Sequence, residues 1–376
     1  MKWEYKTLDQ LGTVSRGKSK HRPRNDPKLF GGKYPFIQTA DVKNADYYIT
    51  KYSDTYNESG LAQSKLWDKG TLCITIAANI ADTGVLAFPA CFPDSIMGFV
   101  PFEGVANTRF IKYCFDRLQR DCKQISQGTA QDNLSWKKLS TIKFCIPEYK
   151  EQCRIADILS AYDDLIENNQ KQIKLLEEAA QRLYKEWFVN LRFPGHENTK
   201  IVDGVPEGWR RGLLKELISV NYGKDHKKAP DDGNIPVYGS GGLMRKCNKS
   251  LFSGEAVLIP RKGSLNNIMY VDETFWTVDT MFYATMKQPH TAVFVYFFVK
   301  AFDMYSMNIG AAVPSMTTKI LDAMDVVIPD KETLEKFDKL TKTYFNKIKT
   351  LQGQNERLKI ARDLLLPKLM SGKVEV

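Results

Sequence analysis

The chain has 376 residues, 43% of them hydrophobic and 26% charged, which suits a globular protein with room for two cores and excludes a disordered one. Its start, MKWEYKTLDQ, lacks a signal peptide's apolar stretch, and the longest apolar run, AVFVYFFV from Ala292, is too short to span a bilayer, so a cytoplasmic protein without membrane contact is expected. A net charge of +10 favours an anionic partner, while seven scattered cysteines without a CxxC pair and four dispersed histidines suggest no disulfide framework, no metal site and no cofactor.

In chain order, KWEYKTLDQLGTVSRGK from Lys2 reads as a first strand running into a basic loop. Arg16, Lys18, Lys20, Arg22, Arg24 and Lys28 fall within thirteen residues, with Asp26 as the only acid. TLCITIA reads as a strand and the region around TRFIKYCFDRLQRDC as a helix. A strand ending in FCIP leads into a long helix from Glu151 to about Trp187. Its apolar stripe is Ile155, Ile158, Tyr162, Leu165, Ile173, Leu176, Ala180, Leu183 and Trp187, with Asn169 in the gap. A Pro- and Gly-rich joint, VNLRFPGHENTKIVDGVPEGW, follows.

EGWRRGLLKELISVNYGK from Glu207 then restarts the chain: Trp3, Leu8, Leu11, Val14, Gly17 and Lys18 match Trp209, Leu214, Leu217, Val220, Gly223 and Lys224 at one constant offset. The loop after it is basic again, with Lys224, Lys227 and Lys228. AVLIP, NIMYVDE and TMFYATM read as strands, and VYGSGGLMRK as a turn. A longer repeat lays GTAQDNLSWKKLSTIKFCIPE from Gly128 on GAAVPSMTTKILDAMDVVIPD from Gly310, an offset of 182 that continues through Ile155/Phe337, Tyr162/Tyr344 and Leu183/Leu365. The second tail carries the same stripe: Phe337, Leu340, Tyr344, Ile348, Leu351, Leu358, Ala361, Leu365 and Leu369.

An amphipathic helix of 35 to 40 residues cannot bury its stripe alone, so the two should form a coiled coil. A pseudo-two-fold between the copies would make the pair antiparallel and bring Asn169 and Asn355 face to face, fixing register. The expected fold class is α+β, with two globular α/β domains separated by two long antiparallel helices. The domains run over 1–148 and 193–330, the helices over 149–192 and 331–376. No GxxxxGK[ST] phosphate loop and no methyl-donor signature occur, and acid-rich PDKETLEK is explained as a helix start, so no catalytic role is expected.

With the repeat and the two tails assembled, the chain resembles the DNA-specificity subunit of type I restriction-modification systems over essentially its whole length. The most specific stretches are VPEGWRRGLLKEL, KLLEEAAQRLYKEWFVNLRFPG and the closing LLPKLMSGKVEV. The resemblance implies two target-recognition domains that read a bipartite, asymmetric site in double-stranded DNA. It also implies two methyltransferase subunits and motor-nuclease subunits as partners. DNA-contact candidates under this reading are Lys18, Lys20, Arg22, Arg24, Gln38, Thr39, Gln131 and Asn133 in the first domain. In the second they are Lys224, Lys227, Lys228, Tyr238, Ser240, Arg245, Lys246, Arg261, Lys262 and Ser315. Rival readings are a similar subunit serving a fused nuclease-methyltransferase partner, and a coiled-coil scaffold that does not read DNA.

Overall fold

The computed structural model describes residues 3–76, 81–125, 139–307 and 315–374, apart from the side chains of residues 122–125 and 228. The chain divides into two compact units, Met1–Lys171 with Leu351–Val376, and Gln172–Thr350. That division cuts both long helices, Tyr149–Tyr184 and Lys331–Leu369, so each unit is a globular segment together with one stretch of each helix.

The ends of these helices follow from local chemistry. Asp330 accepts hydrogen bonds from the backbone N–H and the hydroxyl of Thr333, both at 2.8 Å, which satisfies a donor that the first turn leaves orphaned. Burial raises the Asp330 carboxyl, but the bonds from Thr333 and Trp209 outweigh it and hold the group below its ordinary value. The first helix closes through a single π-helical turn, Lys185–Val189. The second contains Pro367 in its last turns, and a proline has no N–H to give to the carbonyl four residues back. That carbonyl, of Asp363, instead accepts from Arg120 at 2.8 Å, while Arg117 donates to the carbonyl of Met370 at 2.6 Å.

In the first unit, Ile155, Ala156 and Leu159 of the first helix and Leu366, Leu369 and Met370 from the end of the second share a core with Leu8, Leu11, Phe99, Phe110 and Phe115. Pairing of Asp163 with Arg362 and of Asn169 with Asn355 runs in opposite residue order, so the stretches are antiparallel. The asparagines meet as the sequence leads one to expect: Asn169 Nδ2 donates to Asn355 Oδ1 at 2.8 Å, with both residues buried. In the second unit, Ala180, Tyr184 and Trp187 pack with Leu334 and Phe337 onto Leu214, Leu217, Phe282, Phe294 and Phe297.

The repeat extends to strand register. Glu4–Lys6 pairs antiparallel with Phe144–Ile146, Glu4 opposite Ile146; Arg210–Leu213 pairs with Asp325–Ile328, Arg210 opposite Ile328. These partners are related by the two offsets read in the sequence, so in each unit the strand before the long helix is tied to the strand that leads into the unit's main sheet. The first unit's sheet runs Gly12–Arg16, Ile96–Pro101, Leu72–Thr75, Thr83–Leu86, Tyr48–Ile49, and only its last pair is parallel. The second runs Ile218–Tyr222, Met281–Met286, Phe252–Pro260, Met269–Thr277, Ile235–Gly239, again with a parallel last pair, and adds an edge strand, Gly242–Cys247. The turn into that strand is the glycine-rich stretch after Tyr238.

The buried asparagine pair gives a direct test. Asn169→Ala leaves the Asn355 amide buried without its partner, and an unfolding free energy lower by about 1–3 kcal/mol is expected in urea denaturation. The double replacement Asn169→Leu with Asn355→Leu is expected to recover that loss, because no orphaned polar group remains.

Candidate functional site

Both basic loops leave their sheets through the same backbone device. A Cβ at Gly17 would overlap the carbonyl oxygens of Phe92 and Pro93, and one at Gly223 would overlap the carbonyl oxygen of Val278. Only glycine allows so close an approach. Gly17 N–H donates to the carbonyl of Ile96 at 2.9 Å and Gly223 N–H to that of Met281 at 3.0 Å. One residue further on, the Lys18 carbonyl accepts from Ser64 Oγ at 2.7 Å and the Lys224 carbonyl from Trp276 Nε1 at 3.0 Å. Upstream, the Thr7 N–H donates to Gln10 Oε1 and the Leu213 N–H to Glu216 Oε1, so the same turn precedes each strand.

Within the first loop the structure sorts the basic residues. Arg22 folds back to donate to the carbonyls of Ser19 and His21, at 2.6 and 2.8 Å. Arg24 Nη2 donates to both carboxylate oxygens of Asp94, at 2.8 and 2.9 Å. His21 Nε2 lies 2.8 Å from Asp26 Oδ2, and the Asp26 carboxyl is held below its ordinary value by the Lys28 N–H and then by His21. Gln63 Oε1 anchors the loop by accepting from the N–H groups of Lys20 and His21. The side chains of Lys18, Lys20 and Lys28 are exposed and have no hydrogen-bond or ion-pair partner among the described residues. Arg24, Gln38 and Thr39 come together around one cleft of about 360 Å³ that Ser19, Asn25, Asp54 and the rings of Phe30 and Phe36 also line. Gln131 and Asn133 lie outside the described residues.

In the second unit, Arg245 staples the basic loop to the edge strand. It donates to the carbonyls of His226 and Ala229 and pairs with Asp231. Tyr238 gives its hydroxyl to Glu273 at 2.6 Å; burial first, and this carboxylate second, push the phenol above its usual range. Lys224, Lys227, Lys246 and Lys262 are exposed and have no such side-chain partner among the described residues, and the Lys228 side chain is not among them. Ser240, whose carbonyl accepts from Asn267 at 2.9 Å, lies against Gly263, and the Arg261 carbonyl accepts from the N–H of Met316, next to Ser315. Ser240, Arg261, Lys262 and Ser315 thus gather in one region. Tyr222, which the sequence did not single out, is 54% exposed and carries the Arg261 guanidinium 5.5 Å from its ring centroid. Its signal was present: Tyr222 ends the strand that runs into Gly223 and the basic loop.

Two topologically matched units with unlike polar surfaces, each entered through a glycine-pinned basic loop, describe a duplicated binding protein. The type I restriction modification DNA specificity domain matches residues 1–178 and 206–359, and the chain belongs to that family. It is 25% identical to the type I restriction enzyme MjaIX specificity subunit of Methanocaldococcus jannaschii, covering 100% of this chain and 94% of that one. The HindI specificity subunit of Haemophilus influenzae is 23% identical over 64% of this chain and 71% of its own length. In fold, the chain is similar to the crystal structure of the type I restriction-modification S subunit from M. genitalium, with a TM-score of 0.61 at 18% identity and coverage of 98% and 96%. By this kinship the chain is a specificity subunit, a non-catalytic component. Among the described residues no helix is long and apolar enough to cross a membrane.

The pinning glycines are testable without any ligand. Gly17→Ala and Gly223→Ala are each expected to lower stability by about 1–3 kcal/mol through overpacking against backbone. Gly241→Ala, where an added Cβ meets nothing within 4 Å, is expected to stay within about 0.5 kcal/mol in the same thermal unfolding assay.

Proposed function

We propose that this subunit selects the DNA sequence on which a type I restriction-modification complex acts. Residues 1–148 and 193–330 serve as two target-recognition domains, and the helical segments 149–192 and 331–376 tie them together. The carrying observation is the shared exit at Gly17 and Gly223: a constant frame delivers two basic loops whose residues beyond it differ. A constant frame with variable loops suits two unlike half-sites, hence a bipartite and asymmetric target in double-stranded DNA. The unpaired lysines supply phosphate contacts, which position the protein, and Gln38, Thr39, Ser240 and Ser315 supply groups able to read base edges. Arg22, Arg24 and Arg245 shape their loops in the free protein and contact DNA only by exchanging these partners. Two methyltransferase subunits and, in the restricting complex, motor-nuclease subunits supply the chemistry that this chain lacks.

Two experiments test this reading on the complex with its methyltransferase subunits. Replacing Lys18 and Lys20 together with Ala is expected to weaken binding on every sequence alike and to lower the slope of log K against log salt by about 1.8, or 0.9 per lost phosphate contact. An unchanged slope removes the first loop from the interface. Exchanging residues 193–330 for the corresponding segment of another specificity subunit is expected to change one half of the methylated motif and leave the other intact. Changes in both halves contradict modular reading, and failure of the wild-type complex to retain DNA at moderate salt favours the scaffold.

A further inference from the structure

We propose that the cleft beside the first basic loop takes a single nucleobase rotated out of the duplex at the first half-site. This deepens the DNA-reading role and rests on it. The cleft measures about 360 Å³, within the range of small-molecule sites. Phe30 and Phe36 line it with their ring centroids 5.9 Å apart at 75°, and Tyr56 stacks behind Phe36 at 4.1 Å and 25°. Phe36 and Tyr56 are buried and back Phe30, which is half-buried and gives a base an apolar surface to stack on, with no demand on its identity.

The polar groups supply the selection. Gln38 Nε2 donates to Asp54 Oδ2, so an amide and a carboxylate sit together on the wall of the cleft. An ionised carboxylate only accepts, which favours a base carrying an exocyclic amino group. Ser19 lines the same cleft, is only 5% exposed, and its hydroxyl has no hydrogen-bond partner. A buried hydroxyl without a partner is uncommon, and a polar edge entering the cleft would satisfy it. Lys18 and Lys20, both exposed, flank Ser19 in the chain, so two cations stand ready for the flanking phosphates, while Arg24 lines the cleft in its pair with Asp94. A base still in the stack offers the protein only its groove edge. Meeting the aromatic rings and the polar wall together requires its face as well, hence its removal from the helix.

The test uses the complex with its methyltransferase subunits and DNA of the mapped target, with 2-aminopurine placed in turn at each position of the first half-site. One position is expected to brighten several-fold on binding. That signal is expected to vanish in Ser95→Trp, which fills the cleft, and to fall at least threefold in Gln38→Ala, an exposed change that leaves the core untouched. At protein concentrations that saturate the DNA for each variant, any brightening caused by base extrusion into the methyltransferase should survive both. If the wild-type complex discriminates its target and no position responds to either variant, the cleft assignment is overturned while the reading role stands. A wild-type complex that cannot tell target from non-target DNA overturns both.

Discussion

An amphipathic helix of 36 or 39 residues cannot hide its own apolar stripe, and most of this structure answers that constraint. In each unit a stretch of one long helix lies antiparallel to a stretch of the other and completes a core that the globular segment leaves open. The first unit encloses Ile155 and Leu159 with Leu366 and Leu369; the second encloses Tyr184 and Trp187 with Phe337. Apolar stripes alone tolerate sliding by a turn. The bond between Asn169 and Asn355, and the pairing of the buried Asp163 with Arg362, penalise every other register, because a slip would bury those groups unmatched. Burial raises the Asp163 carboxyl, against the pull of Arg362.

The repeat keeps what positions and varies what touches. The glycines at the strand exits, the capping turns at Thr7 and Leu213, and the pairing of the opening strand with the strand before the helix recur residue for residue. Beyond Gly17 the chain forms an arginine-rich loop over a cleft. Beyond Gly223 it forms a shorter loop held by Arg245 to an edge strand for which the first sheet has no counterpart among its described strands. Divergence in these loops and at the sheet edge, on a retained frame, is what two readers of different sequence would accumulate.

The sequence carried much of this. Both helices, the strands TLCITIA, NIMYVDE and TMFYATM and the asparagine pair were readable because periodicity and repetition leave a plain trace, whereas VYGSGGLMRK, expected to be a turn, is mostly two strands, Ile235–Gly239 and Gly242–Cys247, with a turn only between them. AVFVYFFV resisted assignment because it is apolar all round; it is the helix Ala292–Lys300, buried almost entirely, and periodicity is silent where every face is covered. Side-chain roles were less legible. Arg22, Arg24 and Arg245 look alike in a charge count, yet each finds partners that only the fold brings near, as do Gln38 with Asp54 and Tyr238 with Glu273. The cleft joins residues from Ser19 to Ser95 and could not be foreseen along the chain.

In the proposed function one chain reads two different half-sites. Mapping every methylated position in the genome of the source cell, with and without this subunit, tests it most directly. One motif that depends on the subunit is expected, made of two short unlike halves across a fixed unread gap. A continuous motif, two identical halves, or a methylation pattern indifferent to the subunit would contradict it.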